Sequence, residues 1–163
     1  MTAPVLDHIL EAMELMAQAE STVERLYETC ASLWKADGDF WQGLALEEKI
    51  HSEHIRSMIS ILTGNPGNFQ PGRPFSAIAL KTFISGVERD IESVKQFTVP
   101  ELKALNIARD IEQALIEARF TEVVQSEDKS FRALAAEIVR DTAIHRRLVG
   151  KKIAERQASG IAR

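Results

Sequence analysis

Glycine and proline are scarce in this chain of 163 residues, with eight glycines and five prolines, and most of them are clustered. Between the clusters, apolar residues recur at alternating steps of three and four, the spacing of one helix face. The first stripe is Ile9, Met13, Met16, Glu20, Val23, Tyr27, Cys30, Trp34, and it predicts a helix over 4–35 behind Thr2 and Pro4. Asp37-Gly38 interrupts it, and Asp39 with Gln42 resembles a capping box for a helix to about Leu62. That second stripe reads Phe40, Leu44, Glu47 or Glu48, His51, Ile55, Met58, Leu62.

The stretch from Gly64 to Pro74 is the one long irregular segment, read as a crossover within one domain. A helix over 76–97 follows inside the crossover, with Phe83, Val87, Ile91, Val94 and Phe97 on one side. Thr98-x-x-Glu101, with Pro100 between, predicts the start of a helix reaching about Gln125, with Leu105, Ala108, Glu112, Leu115 and Ile116 inward. Ser126-Glu127-Asp128 makes the next turn. A last helix over 129–156 carries Phe131, Leu134, Ile138, Asp141, His145 and Leu148. The fold class is therefore all-α, with a single domain over 1–157 and a frayed tail over 158–163. Two antiparallel helical hairpins joined by a long crossover holding an extra helix are the ferritin-like arrangement of a four-helix bundle. A weak internal repeat agrees: Glu20 then Tyr27 in one hairpin, Glu112 then Phe120 in the other.

Composition excludes several classes. A net charge of -4 argues against a non-specific nucleic-acid binder, and Arg146, Arg147, Lys151 and Lys152 read as a solvated helix face. The single cysteine, Cys30, forbids an internal disulfide or a four-cysteine metal site, and its place on an apolar stripe predicts a buried thiol. No segment approaches the ~18–20 apolar residues that span a bilayer, and no signal peptide is apparent, so a cytoplasmic protein is expected.

Each long stripe is interrupted near mid-height by polar groups: Glu20, Glu48 with His51, Glu112, and Asp141 with His145. Glu48 and His51, three apart, share a face, and this register agrees with Phe40, Leu44 and Ile55, leaving His54 partly exposed. One buried glutamate usually means an ion pair, and one histidine a hydrogen-bonded core residue. Interruption of all four stripes at one height points instead to a shared site. Ionised carboxylates gathered in a dry core repel each other and lose hydration, and divalent cations remove that conflict. Carboxylate oxygen mixed with imidazole suits iron or manganese, with zinc as an alternative. The competing arrangement pairs these charges with arginines such as Arg109 or Arg119.

Glu20 with Tyr27, Glu47-Glu48-Lys49-Ile50-His51, Ile107-Ala108-Arg109-Asp110-Ile111-Glu112 and His145 together resemble the rubrerythrin-related branch of the ferritin-like superfamily, from about Leu6 to Lys152. The resemblance implies two iron ions, with Glu20 and Glu112 as single-helix ligands, Glu48 bridging, and His51 and His145 as terminal nitrogen ligands. It also implies a homodimer and redox chemistry with peroxide, dioxygen or ferrous iron, of peroxidase or ferroxidase type, with Tyr27 beside the ligands. The family's fourth-helix glutamate falls on Thr142, a poor ligand, so either Asp141 substitutes as a shorter carboxylate or the second metal position is weakened or lost. The four-cysteine rubredoxin module of full rubrerythrins is absent, so electrons are expected from a separate donor protein or a small reductant. The alternative is a non-enzymatic bundle that binds metal or a partner. Its site would be degenerate or hold one metal on Glu20, Glu48, His51 and Glu112, with Trp34, Trp41 and the crossover helix serving association.

Overall fold

The stripes become five helices and one small pair of strands. The computed structural model describes residues 2–118 and 122–161; Arg119 and Phe120, invoked above, and the last two residues lie outside the described residues. The helices are α1 (Ala3–Leu33), α2 (Gly38–Gly64), α3 (Ala77–Lys95), α4 (Glu101–Ala118) and α5 (Lys129–Ile161). Strand β1 (Phe69–Pro71) pairs antiparallel with β2 (Val124–Ser126). α1 packs along α2 and α3, α4 along α5, and α2 against α5. None of the described helices is long and apolar enough to cross a membrane.

The interior is divided. One apolar cluster gathers Val23, Leu26, Tyr27, Cys30 and Trp41 with Val87, Ile91, Leu105 and Val149. The other gathers Ile9, Met13, Met16, Ile55 and Met58 with Phe69, Leu80, Phe131 and Ile138. On α1, α2 and α5 buried polar side chains lie where one cluster gives way to the other, while Glu112 of α4 lies among residues of the first cluster. Cys30 is a buried thiol, and burial pushes it up to about 12, so it behaves as a small apolar group. Trp41 is fully buried, in ring contact with Tyr27, Trp34 and Phe40, which removes it from the association surface anticipated above.

Four further details depart from the sequence expectations. Asp39 lies inside α2, and the corner before it is a 3-10 turn, Lys35–Asp37. Asp37 there accepts from Lys152 at 2.8 Å and from Arg156, while Arg156 also reaches Glu101 at 3.1 Å. Burial would raise the Asp37 carboxyl, but these hydrogen bonds outweigh it and hold the group below its ordinary value. Lys152, expected as a solvated cation, thus ties α5 to the α1–α2 corner. Thr98 does not cap α4 either; its hydroxyl donates to the Ser93 carbonyl at 2.8 Å and helps close α3. Phe97 beside it takes φ 54°, the left-handed conformation that ends many helices, and this turns its ring out to solvent instead of onto the α3 face. The buried face of α3 is Leu80, Ile84, Val87, Ile91 and Val94.

The strand pair was not expected: α4 is described over Glu101–Ala118, and Val124–Ser126, where the helix was expected to reach, is a strand. Val123 and Val124, β-branched and buried, join a ladder with the crossover: Phe69 faces Ser126 and Pro71 faces Val124. The ladder continues with Gly72 N–H donating to the Val123 carbonyl at 2.9 Å and Arg73 N–H to that of Glu122 at 2.7 Å. Backbones approach so closely that a Cβ on Gly72 would sit 2.1 Å from the Glu122 carbonyl oxygen. Replacing Gly72 with alanine must push the crossover off the α4–α5 connection. We expect Gly72→Ala to lose about 1–3 kcal/mol in urea unfolding, against near-neutrality for Gly67→Ala, whose Cβ would meet nothing within 4 Å.

Candidate metal centre

Four helices each bring polar groups to one layer of the interior. α1 contributes Glu20 and, two turns on, Tyr27; α2 contributes Glu48 and His51; α4 contributes Glu112; α5 contributes Thr142 and His145. All are buried, and Glu48, His51 and Glu112 are entirely so. Glu47 is only half-buried, so the choice left open on the second stripe falls on Glu48.

Glu48 is the hub. Its Oε1 accepts from His145 Nδ1 at 2.8 Å and its Oε2 from His51 Nδ1 at 3.1 Å. The two imidazoles stack with centroids 5.4 Å apart and planes 25° from parallel. One oxygen of Glu48 and one nitrogen of each histidine lie within 4.8 Å of one another, close enough to ligate a common ion. Glu112 flanks the His145 side. Its Oε1 accepts from the Tyr27 hydroxyl at 2.6 Å, while its Oε2 stands 3.8 Å from His145 Nδ1 without a hydrogen bond. Glu20 lies beside Glu48, within reach to share a proton, and its Oε2 has no hydrogen-bond partner; neither does His51 Nε2.

These groups settle unequally. Burial disfavours charge on Glu48, but hydrogen bonds from His145 and His51 outweigh it and bring the carboxyl down to about 2. Burial, then the neighbouring Glu48 charge, hold Glu20 and Glu112 well above the carboxylate range; the Tyr27 hydrogen bond only partly opposes this for Glu112. Burial and the same carboxylates push the Tyr27 hydroxyl upward too, which keeps it a donor. Without a cation, then, charge concentrates on Glu48, while Glu20 and Glu112 hold their protons to higher pH than an ordinary carboxyl. Among the described residues no arginine or lysine relieves them: Arg109 pairs with Asp110 at 2.9 Å, and none pairs with Glu20, Glu48 or Glu112.

On α5 the sequence expectation needs correcting. Asp141 does not join the layer; its carboxylate pairs with the exposed Arg140 at 3.0 Å. The inward row of α5 is Ile138, Thr142, His145, Val149, Ile153, while Leu148 is largely exposed. Thr142 therefore occupies the inward place, and its hydroxyl donates back to the Ile138 carbonyl at 2.8 Å. The layer thus has Glu20, Glu48, His51, Glu112 and His145 but no carboxylate from α5.

Orphaned buried oxygens on Glu20 and Glu112, a shared carboxylate and two imidazoles are a donor set suited to divalent metal. Three carboxylates with two neutral imidazoles carry three negative charges. One divalent ion leaves a net negative charge, and two leave one positive charge that a small anion could balance.

Linkage gives a sign that can be measured. A raised folded pKa means the folded state binds more protons than the unfolded chain once pH exceeds about 4.3. Glu20 and Glu112 therefore make the metal-free protein lose stability as pH rises above that value, by up to about 1.4 kcal/mol per pH unit for each carboxyl that stays protonated. Glu48 acts oppositely, and its contribution is lost only as pH falls from about 4.3 toward 2. Melting scans of the chelator-treated protein should show Tm falling from pH 5 to 8. Glu20→Gln, whose amide replaces the shared proton, should flatten the slope; an unchanged slope would contradict this protonation scheme.

No family model, no characterised protein and no solved structure matches this chain, so the centre is read from its own geometry.

Proposed function

We propose that this protein is a ferritin-like di-iron carboxylate protein of the rubrerythrin type, acting on peroxide, dioxygen or ferrous iron. The observation that carries the reading is Glu48, whose two oxygens each face a different histidine. A carboxylate placed so can serve two ions at once, with Glu20 and His51 completing one side and Glu112 and His145 the other. The connectivity supports it: two hairpins, α1–α2 and α4–α5, are joined by a crossover that contains α3. Two iron ions, when bound, supply the two electrons that reduce peroxide to water.

The remaining work falls to the chain. A metal at Nδ1 of His51 and His145 would require the ring proton of each to sit on Nε2, while Glu20 and Glu112 would release theirs, so metal loading would release protons from the carboxyls. Tyr27 holds Glu112 by its short hydrogen bond and fixes which oxygen stays free for a ligand. Apolar clusters flank the layer on either side. Reducing equivalents come from a separate donor, and the protein works as a homodimer.

A single-metal or non-catalytic centre is the second reading, favoured by the missing α5 carboxylate. Protein from iron-supplemented cells separates the two. Two irons per chain, with ferrous protein oxidised by peroxide at one peroxide per two irons, are expected for the first reading. One ion per chain and no oxidation would establish the second. No bound metal at all, with Glu48→Ala indistinguishable from the parent, would sink both. Tyr27→Phe should keep the fold and lower metal affinity by about 10-fold in a competitive chelator titration.

A further inference from the structure

Beside the layer lies a cavity of about 280 Å³. Its walls are apolar, and three of the chain's four methionines, Met13, Met16 and Met58, line it with Phe131 and Ile138. Methionine side chains adapt to whatever shape they meet, a property suited to a site that fills and empties. Polar side chains in the described lining are Glu20, with its orphaned Oε2, Thr142, whose hydroxyl is already engaged, and the exposed Glu122. Ile116 and Val139, two of the more exposed large apolar residues, also line the cavity and give it a route to solvent.

We propose that this cavity binds an uncharged apolar molecule of about ten carbon atoms and presents it to the Glu20–Thr142 side of the metal centre. The size follows from volume: an apolar hole of about 150 Å³ takes up benzene, so roughly 280 Å³ accommodates nearly twice that. The charge follows from the lining, in which the described residues include no lysine, arginine or histidine to meet an anionic head. A cationic head would compete with the metal ions at Glu20, and at Glu122, which is exposed, an ionic contact would be weak. The place follows from α5. Thr142 leaves open the side of the layer where a fourth-helix carboxylate would close it, and the cavity meets the layer there. A void this large in a close-packed interior forfeits contacts on every wall, and an incoming apolar molecule restores them. The ligand class stands on the cavity alone; its role as a substrate rests on the metal-centre reading.

Protein labelled with 13C at methionine methyls reports on three walls at once, and the indole N–H signals of Trp34 and Trp41 serve as a reference outside the lining. Titrating naphthalene, the methyls of Met13, Met16 and Met58 should shift saturably while the indole signals stay in place. Decanoate, similar in length but anionic, should bind at least 10-fold more weakly. Ile138→Trp, which fills the interior, and Val139→Trp, at a position 54% exposed where folding is not at risk, should each weaken naphthalene at least 10-fold. Absence of saturable shifts, equal affinity for decanoate, or full affinity in Val139→Trp would overturn the proposal. Methyl signals that move on dilution without naphthalene would assign the face to a second copy of the chain, and overturn it equally. Two measurements keep this apart from the metal reading. Glu48→Ala should lose metal yet retain the methionine shifts. Mn2+ added to the parent should broaden bound naphthalene protons; shifts without broadening would overturn the placement beside the ions while leaving the ligand class intact.

Discussion

Everything in this protein is arranged around one carboxylate that stays ionised with no solvent contact. Glu48 is tolerable there because both its oxygens accept from imidazoles, at 3.1 and 2.8 Å, and those imidazoles come from different helices. Its charge then dictates the state of its neighbours. Burial and that charge raise Glu20 and Glu112 well above the ordinary carboxyl range, so without a cation shared protons, more than opposite charges, hold the layer together. A layer so constructed is frustrated, and that frustration is the physical reason to read it as a binding site. A purely structural polar layer would be expected to recruit an arginine, and Arg109 is close along the chain. It turns instead to Asp110 at the surface.

The rest of the fold supplies what such a layer needs. Polar groups in the middle of four helices weaken the packing of all of them, so the stabilising contacts must come from either side. Two apolar clusters do this, one built around Trp41 and Tyr27 and the other around the methionines and Phe131. The ends are fastened by different means. At one corner Asp37 holds Lys152 and Arg156; in the crossover, backbone pairing at Gly72 clamps the chain onto the α4–α5 connection. With both fastened, rotation of α5 about its axis is restricted, and that rotation decides whether His145 meets Glu48.

Much of this was legible in the sequence, and the exceptions have physical reasons. Alternating three- and four-residue spacing placed Glu20, Tyr27, Glu48, His51, Glu112 and His145 inward, because each of those rows has apolar neighbours on both sides of the polar residue. On α5 the same rule was ambiguous. Ile138–Asp141–His145–Leu148 and Ile138–Thr142–His145–Val149 are both helical rows, and hydrophobicity does not rank Leu148 against Val149. Continuing the row to Ile153 would have favoured the second. Phe97 was misplaced because an aromatic residue rarely adopts positive φ, and nothing local announces that it will. The strand pair was invisible for another reason: β1 and β2 are short segments far apart in sequence, and each forms only because the other is delivered to it by the fold. No sequence pattern reports a cavity, although three methionines on facing rows were its trace.

The α5 row matters most for chemistry. Had Asp141 turned inward, four carboxylates would balance two divalent ions, and the layer would be neutral and closed. With Thr142 inward there are three, and a two-ion centre keeps one positive charge and an open side. A buried positive charge in an apolar setting favours a small anion such as hydroxide or hydroperoxide, because the low dielectric strengthens the attraction. The open side is the one that the cavity reaches through Glu20 and Thr142. A single helical step on α5 thus does two things together: it removes a ligand that would saturate the metals, and it exposes what remains to an apolar chamber. In the proposed di-metal centre, the residue that looked like a defect in the metal-binding pattern is the one that would leave room for a reactant.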